Sequence, residues 1–315
     1  MLPTVSPMLA SPAEPFDSGE HVFEVKWDGV RALAAVEPSG WRLWGRESAD
    51  YTDRYPELDV LRRFPPGTMV DGEVVVLRDG RADLSTLLSR HALTSSIKIQ
   101  HAQRHSPVYY ILFDALYHQG RSLLSEPLWR RRMVLTDLME ELHEPTLVFS
   151  EGIVCTGQDF FERVVAQGHE GVVAKHLAGR YHPGRRSTAW QKIKPAHELA
   201  CVVIGYTPTP SGLHSLLVGE CQDGTLRYVA ELTAGFTAQA QAQLGGLLAR
   251  HVRARPIAPC SKRAVWVEPQ VYCRVRFQHR TPNGFLRGAS FRGLLSVADE
   301  GRQSQAEPAS DGRTA

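Results

Sequence analysis

Three short apolar segments follow one another closely near the start of the chain, and their spacing limits the folds available to it. They cover His21 to Trp27, Ala32 to Glu37 and Trp41 to Arg46. An Asp-Gly pair and a Ser-Gly pair separate them, and such pairs are typical of tight turns between strands. The spacing predicts an antiparallel meander, with Lys26 on or at the end of its first strand.

Strands and helices alternate in the region that follows. Further strands are predicted at Met69 to Leu77, Val108 to Leu116, Glu170 to His176 and Trp190 to Ile193. Apolar residues at helical spacing predict a helix over Leu128 to Leu142 and a second over Asp159 to Gln167. This mixture predicts an α+β domain, residues 1–196.

The pattern changes after Glu198 to short β segments with a single helical stretch, Ala238 to Arg250. Several strands and one helix in about 100 residues fit an all-β OB-fold barrel, which we assign to residues 197–299. Residues 300–315 are polar and contain Pro, Ser and Gly, so we expect a disordered tail.

The bulk composition sets limits on compartment and partners. A chain of 315 residues with 43% hydrophobic residues has enough mass for two soluble domains. Its net charge of +2 means that a nucleic-acid surface must be local, built from clusters such as Arg130–Arg132 or Arg185–Arg186. Five scattered cysteines and the lack of a signal-like or membrane-spanning segment predict a reduced, cytoplasmic protein without a zinc module.

Lysine is scarce, and the few lysines present are therefore informative. The chain has six lysines among 36 basic residues, so arginine supplies nearly all of the positive charge. Arginine keeps its proton in proteins, whereas lysine can become a neutral amine. We interpret Lys98 and Lys262 as solvated surface charges, and the other four fall in short strand motifs.

Taken together, those motifs predict a reaction in which a lysine attacks a phosphorus atom. A lysine that attacks phosphorus needs cations to hold phosphates, carboxylates to hold a divalent metal, and an apolar slot for a base. The candidates are Lys26 as nucleophile, Lys175, Lys192 and Lys194 as cations, Glu73 and Glu170 as carboxylates, and Phe113 as the base platform.

The order of these motifs resembles that of a known superfamily. K-x-D-G (26–29), D-G-E (71–73), F-D-A-L (113–116), E-G-V-V-A-K (170–175) and W-x-K-I-K (190–194) are similar to the motifs of covalent nucleotidyltransferases. In particular, the chain resembles the ligase domain of bacterial ATP-dependent DNA ligases of the end-joining type. The resemblance implies a nucleotidyltransferase (adenylation) domain of antiparallel sheets and helices, followed by the OB-fold domain.

The resemblance also implies a role for each candidate. Lys26 would carry AMP, and Lys192 and Lys194 would act with it in catalysis. Glu73 and Glu170 would bind Mg²⁺ or Mn²⁺. The nucleotide-binding set would be Glu24, Lys26, Arg31, Arg46, Glu73, Phe113, Lys175, Lys192 and Lys194.

The expected donor is ATP, and the expected partner is nicked or broken double-stranded DNA. Only 25 residues precede Lys26, too few for the domain with which NAD-dependent ligases recognise nicotinamide. The resemblance further implies DNA repair or end joining, with bacterial Ku and other end-joining proteins as partners. We expect a monomer that acts at the nucleoid, without membrane contact.

The chain departs from the family pattern at Glu47-Ser48, at Arg274 where an acidic residue is usual, and chiefly in its last motif. From Phe291 to Asp299, Leu295 stands where an arginine is expected, and no lysine follows Asp299. Loss of one charged phosphate contact is worth about 1.5 to 3 kcal/mol, which would slow self-adenylation. Two alternatives therefore stay open: a catalytically impaired ligase fold that binds DNA, and an RNA ligase or capping-type nucleotidyltransferase.

Overall fold

The computed structural model describes residues 1–209, 212–281 and 283–295. The chain divides into two compact units, the first spanning Met1–Pro195 and the second beginning at Ala196. The first unit mixes sheets with helices and the second is mostly β, as the sequence predicts.

The first unit contains two sheets. Its strands are β1 (Leu9–Pro12), β2 (Ser18–Val25), β3 (Val30–Glu37), β4 (Gly40–Trp44), β5 (Thr68–Arg78), β6 (Arg81–Ala82), β7 (Val108–His118), β8 (Arg121–Ser122), β9 (Leu147–Phe149), β10 (Gly152–Cys155), β11 (Val172–His176) and β12 (Arg186–Ile193). One sheet has the order β1-β12-β11-β2-β10. The other has the order β4-β3-β5-β7-β8, with β6 paired to β5 and β9 paired to β7.

The predicted meander is correct for its second half only. β3 and β4 form an antiparallel hairpin, but β2 lies in the other sheet, between β11 and β10. The first expected hairpin, from β2 to β3, is therefore wrong. The reason is that β2 is buried on both faces, with Val22, Phe23 and Glu24 all at most 4% exposed. Such a strand takes its neighbours from far along the chain, which local turn signals cannot reveal.

Four α-helices, α1 (Leu84–His91), α2 (Ser96–His105), α3 (Leu128–Leu142) and α4 (Gly157–Ala166), and two 3-10 helices, Thr52–Arg54 and Pro56–Arg63, complete the first unit. The predicted helix over Leu128 to Leu142 is confirmed residue for residue, and the one near Asp159 is confirmed within two residues. The sequence analysis did not predict α1 and α2. Asp83 could have revealed α1, because its carboxylate caps the helix by accepting the Thr86 N–H at 2.9 Å.

One face of α3 contradicts the predicted DNA surface at Arg130–Arg132. Arg131 is fully buried, and its Nε and Nη2 donate to the two carboxylate oxygens of Asp114 at 2.7 and 2.8 Å. Arg132 pairs with the buried carboxylate of Glu24, and only Arg130 faces solvent. Two of these arginines are therefore structural, because buried carboxylates require a paired cation.

The interior strand β3 separates two apolar cores. Ala32, Ala34 and Val36 face a core shared with α1 and α3, whereas Leu33 and Ala35 face the space between the two sheets. The second core also takes in Phe113 and Trp190. Burial on both faces explains why β3 reads as a continuous apolar run.

The described residues of the second unit form a seven-stranded antiparallel sheet, a separate two-stranded sheet and one α-helix. Its elements are β13 (His197–Thr209), β14 (Gly212–Gln222), β15 (Thr225–Leu232), α5 (Ala238–Leu248), β16 (Val252–Arg253), β17 (Val265–Val267), β18 (Tyr272–Phe277), β19 (His279–Arg280), β20 (Leu286–Arg287) and β21 (Ser290–Leu294). The long strand β13 pairs with β14 along one edge and with β18 and β17 along the other. The separate two-stranded sheet consists of β19 and β20. One α-helix among several short strands matches the pattern of elements predicted for an OB-fold.

Some predictions fall outside the described residues. The expected disordered tail, 300–315, lies there, as do Ser296 to Asp299 of the altered motif. Within the described part of the chain, no helix has the length and apolar character needed to cross a bilayer. All five cysteines are free thiols.

Candidate active site

A cavity of about 280 Å³ opens between the two sheets of the first unit. Nine of the ten residues predicted for the site line it: Glu24, Lys26, Arg31, Arg46, Glu73, Phe113, Lys175, Lys192 and Lys194. The tenth, Glu170, touches two of these lysines. The structure therefore brings together all ten candidates that the ordered motifs predicted.

Lys26 occupies the link between the two sheets. β2 ends at Val25 and β3 begins at Val30, so only Lys26 to Gly29 connect them. The Lys26 N–H donates to the Gly171 carbonyl at 2.8 Å, and a Cβ on Gly29 would lie 2.3 Å from the Val74 carbonyl oxygen. The hydrogen bond at Lys26 and the close packing at Gly29 fix the link at both ends. The Lys26 side chain is 23% exposed.

Glu170 bridges two lysines at the cavity. One carboxylate oxygen contacts the Lys26 ammonium and the other contacts the Lys194 ammonium. Burial raises the pKa of Glu170, but the two lysines outweigh burial and hold the pKa below its ordinary value. Glu170 is therefore an anion that ties the candidate nucleophile to a second cation.

Positive charge accumulates around this bridge. The pKa of Lys192 is lowered by burial and then by nearby cations, first Arg186 and then Lys194. A pKa lowered by neighbouring cations means that positive charge outweighs the carboxylates around Lys192. A surplus of this kind suits a polyanionic ligand such as a triphosphate.

Glu73 lies on β5, in the sheet other than that of β11, the strand that follows Glu170. Burial raises its pKa to about 7, although Arg31 and Lys26 act in the other direction. Burial also raises the pKa of Asp28, with a further contribution from Glu170. The cavity thus has carboxylates at both sheets. The described residues contain no cluster of three or more His, Cys, Asp or Glu side chains able to enclose a metal.

Lys175 has partners different from those of the other lysines. Its ammonium donates to Glu24 Oε2 at 2.8 Å and lies 4.0 Å from the centre of the Phe113 ring. Glu24 also accepts from Arg132 at 2.5 Å and from the Ser150 hydroxyl at 2.8 Å. These contacts place the Lys175 ammonium at the aromatic end of the cavity. Its role as a phosphate ligand stays a prediction.

The Lys175 environment predicts a specific pH dependence of stability. Burial lowers its pKa to about 8 from an ordinary 10.5, against the effect of Glu24. Between these values the unfolded chain binds more protons than the folded chain, so Lys175 makes the free energy of unfolding rise with pH. We expect Lys175→Met to lower this slope by up to about 1.4 kcal/mol per pH unit.

Urea unfolding of wild type and Lys175→Met at pH 7.5, 8.5 and 9.5 measures this difference. Lys98→Met is the matched control, because Lys98 is exposed on α2 and should leave the slope unchanged. Equal slopes for wild type and Lys175→Met would contradict the prediction.

Arg31 and two aromatic rings form the remaining wall of the cavity. The Arg31 guanidinium carbon lies 4.5 Å from the centre of the Phe113 ring and 5.3 Å from that of Trp190. The two rings meet edge to face, with centroids 5.9 Å apart. A flat aromatic surface beside fixed cations can accept a heterocyclic base.

Several residues of the site escaped the sequence analysis. Asp71, Tyr181, Trp190 and Ser150 hold or line the cavity without having been assigned a role in it, and Arg132 was placed on the surface instead. Asp71 stood directly before the D-G-E glycine, and a carboxylate within an apolar strand was a signal for a buried cation. For Tyr181 no local pattern gave such a signal.

The described part of the altered motif lies in the second unit. Leu295 donates its N–H to the Tyr272 carbonyl at 2.9 Å, and Phe291 is buried in the core of that unit. Arg292 and Arg274 lie 3.9 and 3.6 Å from the carboxylate of Glu198. Leu295 therefore offers no cation, while Arg292 on β21 and Arg274 on the neighbouring strand β18 do.

Comparison with known proteins identifies the family. Residues 7–194 match the ATP dependent DNA ligase domain, and residues 209–296 match the ATP dependent DNA ligase C terminal region. The chain belongs to the ATP-dependent DNA ligase family. The recognition made from five ordered motifs is thereby confirmed.

Individual members of the ligase family agree with this assignment. The chain is 33% identical over 309 residues to the multifunctional non-homologous end joining protein LigD of Pseudomonas aeruginosa, covering 92% of this chain and 35% of that protein. The chain thus spans about a third of that relative's length.

Two solved ligase structures share the fold. The ligase domain of M. tuberculosis LigD has 30% identity and a TM-score of 0.53, covering 92% of this chain and 95% of that one. A mycobacterial DNA ligase D complexed with ATP and MES has 29% identity and a TM-score of 0.52, covering 93% and 95%. The predicted fold class, a nucleotidyltransferase domain followed by an OB-fold domain, is confirmed.

Proposed function

We propose that this chain is an ATP-dependent DNA ligase that seals nicks or joins ends in double-stranded DNA through a Lys26–AMP intermediate. The observation that carries the proposal is the convergence of the predicted residues on one cavity, with Lys26 in contact with Glu170. Membership of the ligase family supplies the substrate class, and the ATP named for the mycobacterial structure supports the donor.

The first step would load AMP onto the enzyme. The Lys26 amine loses a proton and attacks the α-phosphorus of ATP, so that a P–N bond forms and the P–O bond to pyrophosphate breaks. Lys192 and Lys194 lie beside the nucleophile and would stabilise the negative charge that develops on the phosphates. Phe113 would hold the adenine ring, and Glu24 and Arg31 would contact the nucleotide.

The next two steps would consume that intermediate. A 5′-phosphate oxygen of DNA attacks the phosphorus of Lys26–AMP, which breaks the P–N bond and returns a proton to the amine. The 3′-hydroxyl then attacks the 5′-phosphate, and AMP leaves. Arg46 and Arg186 are exposed at the cavity and would bind the DNA phosphates near the nick.

The carboxylates of the cavity fit a divalent metal of the magnesium type. Mg²⁺ is usually held by one or two carboxylates together with substrate phosphates, so it needs no enclosed protein cage. Glu73 and Glu170 would hold it, and the metal would neutralise charge on the phosphates when bound. Glu170 in addition orients the Lys26 and Lys194 ammonium groups.

The end-joining relative supports a proposal for the cellular setting. We propose that the chain acts in DNA repair as a monomer at the bacterial nucleoid, with Ku and other end-joining proteins delivering the DNA ends. Support comes from the end-joining name of the LigD relative. A pull-down of purified Ku, with and without DNA ends, tests this part separately.

The central test is labelling with radioactive ATP followed by sealing. The protein is first stripped of bound AMP with pyrophosphate and Mg²⁺, then incubated with α-labelled ATP or GTP, and finally offered nicked duplexes with DNA or RNA at the nick. We expect covalent labelling with ATP alone and sealing of the DNA nick. GTP labelling or RNA sealing would favour the related nucleotidyltransferases, and nick binding without labelling would favour an impaired ligase fold.

A further inference from the structure

Arg31 is held in the cavity by a chain of buried hydrogen bonds that reaches away from the nucleotide site. Its Nε and Nη2 each donate to one carboxylate oxygen of Asp71, both at 2.6 Å. The Asp71 side chain is completely buried. A bidentate pair of this kind fixes the plane of the guanidinium group as well as its position.

Tyr181 fixes the carboxylate in turn. Its hydroxyl donates to Asp71 Oδ2 at 2.6 Å and accepts the Met8 N–H at 3.0 Å. Because a hydroxyl has a single proton and Met8 can only donate, the Tyr181 proton must point to Asp71. Burial and then Asp71 raise the pKa of Tyr181 well above its ordinary value, so this proton is retained.

The tyrosine itself has little freedom to move. It is 2% exposed, and its own N–H donates to the Leu124 carbonyl at 3.0 Å. Its ring packs edge to face on Trp190, with centroids 5.7 Å apart. The Met8 end is equally fixed, since Met8 is fully buried and its neighbour Leu9 pairs with Arg186 in β1 and β12.

We propose that Tyr181 is a positioning residue for the adenylation reaction, acting through Asp71 on Arg31. The series of hydrogen bonds runs from the Met8 N–H to Tyr181 and then to Asp71. It ends at the Arg31 guanidinium group, which lines the cavity. Arg31 uses only part of its five N–H groups on Asp71, and the others remain for a ligand. The inference rests on the proposed function, because Arg31 must contact the bound nucleotide for its placement to matter.

A double-mutant cycle tests whether Tyr181 acts through Arg31. Tyr181→Phe removes one oxygen atom and keeps the ring. We expect the maximal rate of Lys26 labelling by saturating ATP to fall by roughly tenfold to a hundredfold, the range expected when a reacting geometry is loosened. The Arg31→Ala background lacks the guanidinium group at the end of this hydrogen-bond series. In that background, Tyr181→Phe should have no further effect on the rate of labelling.

Tyr55→Phe is the matched control for a general loss of stability. Tyr55 is also fully buried, and its hydroxyl bonds His91 Nδ1 at 2.6 Å in the core away from the cavity. Its loss should lower the melting temperature without changing the labelling rate. If Tyr181→Phe proves too unstable to purify, Asp71→Asn breaks the same chain one bond closer and must show the same dependence on Arg31.

Each outcome decides the inference. It is overturned if Tyr181→Phe labels at the wild-type rate, if the loss is equally large in the Arg31→Ala background, or if Tyr55→Phe slows labelling as much. Failure of the proposed function looks different, because wild type itself would then take up no label. A labelled wild type with a normal Tyr181→Phe variant rejects the positioning role alone.

Discussion

Lys26→Ala is expected to lose covalent labelling by ATP altogether, a fall of at least about 10⁴-fold, because removal of a covalent nucleophile leaves no group to carry AMP. The cavity that binds the nucleotide should persist, since the other residues that line it are unchanged. The measurement is the amount of labelled protein after incubation with α-labelled ATP. Lys98→Ala is the control, because Lys98 is exposed on α2 and should label like wild type.

A nick that already carries AMP on its 5′-phosphate separates loss of the nucleophile from loss of the fold. Sealing of this substrate needs no lysine nucleophile, so Lys26→Ala should still join it. A variant that seals neither substrate would point to a damaged fold. Labelling of Lys26→Ala at the wild-type level would reject Lys26 as the site of AMP attachment.

Arg131→Met is expected to destabilise the first unit by about 3 to 5 kcal/mol, because it leaves a buried carboxylate without its paired cation. Arg131 also donates to the Glu126 and Gly179 carbonyls at 2.7 and 2.9 Å, so its removal leaves Asp114 and two carbonyl groups without their cation. Methionine fills a similar volume, which limits the contribution of a cavity. Urea unfolding measures the change in the free energy of unfolding.

The neighbouring arginine provides the control. Arg130 is 56% exposed and reaches Glu126 Oε2 at 3.2 Å. Arg130→Met should therefore cost less than about 1 kcal/mol, as surface ion pairs usually do. A similar loss for the two variants would mean that the buried pair contributes no more than a surface pair, contrary to our interpretation of α3.

The sequence indicated which residues gather at the cavity better than it indicated the topology that assembles them. The site residues lie in short ordered motifs, so their types and spacing were visible without knowledge of the fold. The neighbours of β2 were not visible, because β11 and the preceding Gly171 reach it from the far end of the unit. α1 and α2 were missed because their apolar stripes are short, with Leu87 and Ile99 as their only buried apolar residues.

Buried charges were the hardest feature to predict. Three consecutive arginines suggested a surface for DNA, yet Arg131 and Arg132 neutralise Asp114 and Glu24 inside the unit. Sequence composition cannot distinguish these two uses of arginine, because the partner carboxylates lie on other elements. The apolar residues flanking Asp114 in β7 were the available signal, since a carboxylate in such a strand needs a buried cation.

The four-residue link from β2 to β3 has a consequence for insertions and deletions. Both of its ends are built into sheets, one at Val25 and the other at Val30, and Gly29 has no room for a side chain. An added or missing residue would shift Lys26 relative to one sheet or the other, so this stretch should have an invariant length in working enzymes. The turn at Gly80 has open space around it and should accept extra residues. Length variation in a library of this gene should therefore concentrate there.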